Sequence, residues 1–89
     1  MNRILIIEDE PRISSFLSKG LKAAGFTTQI AATAAEGRNQ AVSAIFDLVI
    51  LDLGLPDADG YTVLNYIRSI GLDIPVIILT ARNTVDDTV

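Results

Sequence analysis

Glu8, Asp9 and Asp52 are the side chains of this sequence best placed to do chemistry, because each stands where a run of apolar residues stops. Ile4 to Ile7 run into Glu8-Asp9, Leu48 to Leu51 run into Asp52, and Val76 to Leu79 run into Thr80. If these runs are parallel strands of one sheet, the polar groups collect at one edge. Two carboxylates about 4 Å apart repel by roughly 4 kcal/mol at an effective dielectric near 20, and a third adds further pairs. No Arg or Lys stands directly beside the three acids, and helix N-termini near Glu10 and Asp59 offer only partial positive charge. A hard divalent cation would compensate. Mg2+ accepts one or two carboxylates together with waters and phosphate oxygens, so the same place suits an oxyanion. Gly54, lacking a side chain, lets a backbone carbonyl approach such an ion closely. Thr80 can offer a hydroxyl to an added phosphoryl oxygen. Taken singly, each has a plainer role: an acidic helix start, a turn-initiating Asp, a Thr that opens a loop. Their coincidence at matching strand ends favours a site, whereas Asp57 and Asp59 read as loop and N-cap residues.

The elements that must position these groups alternate along the chain. Ile4–Ile7 reads as a strand covered on both faces. Glu10-Pro11 opens a helix, with Pro in the first turn where its missing N–H costs nothing. Ile13, Phe16, Leu17, Leu21 and Ala24 recur at helical steps and predict its buried face, ending at Gly25. Phe26 to Ala31, with polar interruptions, predicts an edge strand. Thr33-Ala34-Ala35-Glu36 is a capping box for a second helix reaching Ala44 or Ile45. After Leu48–Leu51 comes a loop rich in turn formers, 52–60, with Asp59 as N-cap of a third helix. Its predicted stripe is Val63, Leu64, Ile67 and Ile70, closed by Gly71. Ile74-Pro75 then leads into the strand Val76–Leu79, and a polar tail follows from Arg82. Strands joined by helices run parallel, and right-handed crossovers give an open, doubly wound α/β sheet. With strand order 2-1-3-4, Asp9 and Asp52 face each other across the carboxyl-end crevice where ligands bind in such sheets.

Composition narrows the function classes. The chain has 89 residues, enough for one domain spanning 1–89, with 49% hydrophobic and 20% charged residues. A net charge of −4 and the absence of a basic cluster argue against nucleic-acid binding by this segment. With no Cys and no His, disulfides, thiolate metal sites, zinc triads and a histidine base are excluded. The first apolar run is too short for a signal-peptide core or a membrane span, so no membrane partner and a cytoplasmic location are expected.

The strand ending in Glu8-Asp9, the loop Asp52-Leu53-Gly54-Leu55-Pro56 with Asp57 and Gly60, and Ile74-Pro75-Val76-Ile77-Ile78-Leu79-Thr80-Ala81 together resemble the receiver domain of two-component response regulators. The resemblance covers essentially the whole chain, and its tail resembles the OmpR-type subgroup, whose members carry a DNA-binding domain after the receiver. It implies a flavodoxin-like fold in which Asp52 is the phosphoacceptor for a sensor histidine kinase. It further implies a Mg2+ held by Asp9 directly, by Glu8 through water, and by Asp52 and the Gly54 carbonyl, with Thr80 as switch hydroxyl. The family pattern continues with a fifth strand, a last helix and a catalytic Lys. None of these falls within this chain, since Lys19 and Lys22 lie in the first helix. A chain shortened in that way is expected to expose Val76–Leu79 as an apolar edge and to form a homodimer or an element-exchanged oligomer through it, or else to be a marginally stable monomer. Other readings remain at this stage. One is a phosphorylation-independent receiver-like interaction module. A second is a haloacid-dehalogenase-like phosphatase, which wants a second Asp where Gly54 stands. A dinucleotide-binding domain lacks its Gly-x-Gly-x-x-Gly.

Overall fold

The computed structural model describes residues 2–79. Four parallel strands, β1 (Arg3–Ile7), β2 (Thr27–Ala31), β3 (Leu48–Asp52) and β4 (Val76–Leu79), alternate with α1 (Pro11–Ala23), α2 (Ala34–Ser43) and α3 (Gly60–Ser69). Sheet order is β2-β1-β3-β4, as the sequence predicts. Register aligns Ile7 with both Ala31 and Leu51, and Asp52 with Leu79, so the strands end level with one another.

Side-chain alternation sends successive residues of β1 and β3 to opposite layers. Leu5, Ile7, Val49 and Leu51 pack with Ala34, Ala41, Val63 and Ile67 of α2 and α3. Ile4, Ile6 and Ile50 pack on the other face against Leu17 and Leu21 of α1. Each fully buried Ile, Leu or Val contributes about 1.5–3 kcal/mol relative to exposure. That double layer fixes the strand ends from both sides.

Helix ends are satisfied locally. Pro11 occupies the first turn of α1, with Glu10 as N-cap. Thr33 Oγ1 accepts the Glu36 N–H at 3.1 Å, while the Glu36 carboxylate accepts the Ala32 N–H, also at 3.1 Å, one residue before the cap. Gly25 (φ 96) and Gly71 (φ 85) end α1 and α3 in the left-handed region that disfavours a Cβ.

Two expectations about packing need correction. Only part of the predicted α1 stripe is covered: Leu17 and Leu21 pack on the sheet, but Phe16 is 77% exposed and Ile13 and Ala24 are exposed too, while Ser14 and Ser18 are buried. Ser18 is accommodated by a 2.6 Å hydrogen bond to Thr28 of β2, a pairing across elements that helical periodicity cannot show. On α3, Val63 and Ile67 are buried but Ile70, beyond the last full turn, is exposed. β4, expected to present an apolar edge, does leave Ile77 51% exposed. Among the described residues, β4 pairs only with β3.

Two helical glycines differ in kind. A Cβ on Gly37 would lie 2.8 Å from Ile7 Cδ1, so its bareness lets α2 lie on β1, whereas a Cβ on Gly20 meets nothing within 4 Å. Gly20→Ala is therefore expected to stabilise the protein by about 0.5–1 kcal/mol. Gly37→Ala is expected to destabilise it by about 1–3 kcal/mol through overpacking. Urea unfolding followed by circular dichroism measures both.

Candidate metal centre

β1 and β3 are adjacent, so the residues at their carboxyl ends are neighbours despite a separation of more than forty positions. Glu8 extends β1 by donating its N–H to the Ala31 carbonyl at 2.9 Å, and Asp52 is the last residue of β3. Carboxylate oxygens of Glu8, Asp9 and Asp52 all lie within 4.8 Å of one another. Glu8 and Asp52 are buried, at 3% and 4% exposure, and Asp9 is half-buried. Three hard oxygen donors converge from two strand ends, a donor set that suits Mg2+ and not a soft or imidazole-seeking metal.

The local backbone holds the acids in place. The Glu10 N–H donates to Glu8 Oε2 at 2.9 Å, and the Gly54 N–H donates to Asp52 Oδ1 at 3.2 Å. Gly60 is pressed against the end of β3. Its N–H donates to the Leu53 carbonyl at 2.9 Å, and a Cβ there would collide with the Asp52 carbonyl oxygen and approach Leu53 Cα to 2.7 Å. Gly54 and Asp59 form an antiparallel bridge across the loop, and Asp59 caps α3 by accepting the Tyr61 N–H at 2.9 Å. The loop is thus closed on itself directly beside Asp52.

Burial raises the Glu8 carboxyl above its ordinary value of 4.5, and the charges of Asp52 and Asp9 push the same way, against the Glu10 N–H bond. Glu8 therefore resists ionisation, as expected of a buried carboxyl facing other carboxylates.

The structure brings together Glu8, Asp9 and Asp52, with Gly54 bonded to Asp52. Thr80 lies outside the described residues. Asp57 lies in the loop, as the sequence predicts, and its carboxylate also accepts the Ala34 N–H at 2.7 Å and the Ala35 N–H at 3.0 Å, capping α2 from another segment. No local signal announces it, because the partners are 22 and 23 positions away. Its carboxyl is held below its ordinary value of 3.8, chiefly by the Ala34 N–H and then by Ala35.

Comparison with known proteins supplies the class: residues 4–89 match the response regulator receiver domain, and the chain belongs to that family. Among curated relatives it is 42% identical over 87 residues to the probable transcriptional regulatory protein SilR of Salmonella typhimurium. It is 46% identical over 87 residues to the transcriptional activator protein IrlR of Burkholderia pseudomallei. Each alignment covers 98% of this chain and 38% of the relative, so the chain spans well under half the length of either. Response regulator TrrA of Thermotoga maritima, solved in complex with Mg2+-BeF, superposes with a TM-score of 0.85 at 32% identity. That match covers 97% of this chain and 76% of TrrA. TrrA in complex with the histidine kinase ThkA aligns at 37% identity and a TM-score of 0.84, over 91% of this chain and 70% of that one. The chain is thus a receiver domain with the fold of a signalling switch. No helix among the described residues is long and apolar enough to cross a membrane.

Replacing Asp52 by Asn removes one of the charges that raise Glu8. NMR pH titration is expected to show the Glu8 carboxyl moving down toward 4.5 in Asp52→Asn. The sign for stability follows. A carboxyl raised in the folded state contributes stability that is present below its unfolded value and lost as pH rises through the folded value. That decline is expected to be shallower in Asp52→Asn.

Proposed function

We propose that this chain is the phosphoacceptor receiver of a transcriptional two-component response regulator, with Asp52 taking a phosphoryl group from the phosphohistidine of a sensor histidine kinase. The observation that carries the proposal is the meeting of Glu8, Asp9 and Asp52 within 4.8 Å at the ends of adjacent parallel strands. The TrrA complexes with Mg2+-BeF and with a kinase support it by analogy. Glu8, Asp9, Asp52 and the Gly54 carbonyl would hold Mg2+, which when bound offsets the charge of acceptor and phosphate. Asp52 contributes the nucleophile: a carboxylate oxygen bonds to phosphorus as the phosphorus–nitrogen bond to the histidine breaks, its electron pair returning to the imidazole. Glu8 and Asp9 keep the ion beside the acceptor. The closed 53–60 loop holds Asp52 in place from its other side. Thr80 is the proposed switch hydroxyl, drawn toward the new phosphoryl oxygens, and added negative charge biases a two-state surface. The output, transcription through a segment other than this one, and a cytoplasmic location belong to the same proposal.

Thermal unfolding with and without Mg2+, followed by incubation with beryllofluoride or acetyl phosphate, tests the function. Mg2+ at about a hundred times its Kd is expected to stabilise the wild type by about 2.7 kcal/mol. Intact-mass spectrometry is expected to show one phosphoryl group added by acetyl phosphate. Both responses should be lost in Asp52→Asn. Hydrolysis of phosphate esters would favour a phosphatase instead, and no response to Mg2+ or either phosphate reagent would favour a phosphorylation-independent interaction module.

Self-association through β4 is a separate proposal, supported by the half-exposed Ile77 on a strand paired on one side among the described residues. Sedimentation equilibrium is expected to show dimers that weaken in Ile77→Lys. A monomer at high concentration contradicts it.

A further inference from the structure

We propose that Asp57 is a positioning residue for the metal-binding loop, tying its apex to the first two amides of α2 so that Gly54 stays beside Asp52. The role deepens the Mg2+ site proposed above and rests on it. The 53–60 loop is fixed at its base by the Gly60 to Leu53 hydrogen bond and the Gly54–Asp59 bridge. Leu55 is buried in the core, whereas Asp57 is exposed at the outer turn. Without a tie at that turn, the base contacts and Leu55 alone would resist movement of the stretch that follows Asp52. The two bonds from Ala34 and Ala35 span that gap, at 2.7 and 3.0 Å.

The next two amides of the same helix are satisfied by its own N-cap residue. Thr33 Oγ1 takes the Glu36 N–H and the Thr33 carbonyl takes the Gly37 N–H at 2.9 Å. Asp57 therefore supplies the remaining two acceptors of the first turn, and the helix in turn becomes the loop's fixed point. Ala34 itself is fully buried against the core, so the anchor is rigid. Side chains that orient ligands without touching the metal change affinity by about 10–100-fold when removed. Asp57 acts one step further out, through the backbone of the loop.

Isothermal titration with MgCl2 on the wild type, Asp57→Ala, Asp57→Asn and Thr33→Ala tests the role. Thr33→Ala weakens the same helix end but leaves the loop untouched, so it controls for a merely structural effect. Asp57→Ala is expected to weaken Mg2+ binding on the order of tenfold. Asp57→Asn, which keeps one acceptor, should weaken it less, and Thr33→Ala should leave it unchanged. Reciprocity adds a readout that needs no variant: Mg2+ should slow hydrogen exchange at Ala34 and Ala35 in the wild type by a similar factor. Unchanged affinity in Asp57→Ala, equal losses in Asp57→Ala and Thr33→Ala, or exchange at Ala34 and Ala35 indifferent to Mg2+ would each overturn the role. A wild type that binds no Mg2+ would overturn the metal site itself, and the role with it.

Discussion

Mutual repulsion among Glu8, Asp9 and Asp52 is the constraint around which this structure is arranged. Three carboxylates within 4.8 Å, two of them buried, are costly for a folded chain to hold. They stay together because the strands carrying them cannot move apart. β1 and β3 are the central pair of the sheet, and Leu5, Ile6, Ile7, Val49 and Leu51 are almost entirely removed from water. Hydrophobic burial along the strands thus imposes an electrostatic cost at their ends. The Glu8 carboxyl is raised chiefly by that burial, and the charges of Asp52 and Asp9 push it the same way.

Such a site is poised to respond to charge. A cation would relieve the repulsion, and the proposed phosphoryl group on Asp52 would change both the charge and the number of acceptor oxygens at the same point. The surroundings limit how that change can be absorbed. Gly60 abuts the end of β3, Gly54 donates to Asp52, and Asp57 binds α2. Asp52 is therefore connected through one short loop to two helices, α2 and α3, on a single face of the sheet.

Much of this was legible from residue types. Apolar runs joined by helical segments gave the parallel strands, the resemblance to receiver domains gave their order, and the polar residue ending each run located the cluster. Gly25 and Gly71 marked helix ends that do lie at positive φ. The misreadings share one cause, since a hydrophobic stripe tells which face could be buried but not which neighbours are present to bury it. Phe16 matched the helical period and is exposed, while Ser18 is buried because Thr28 across the interface offers a hydroxyl. Helix propensity alone disfavours Gly37, yet Ile7 occupies the space its side chain would take. Asp57 was hidden for the same reason: its partners are set by the tertiary fold and not by spacing along the chain.

Paramagnetic NMR with Mn2+ in place of Mg2+ tests the central claim most directly, since broadening falls off steeply with distance from the bound ion. Signals of Glu8, Asp9, Asp52 and Gly54 should broaden first and together at low Mn2+, and Asp52→Asn should abolish that selectivity. Broadening that begins at other acids, such as Asp47 or Asp73, or that is spread evenly over the surface, would contradict a metal centre at the strand ends.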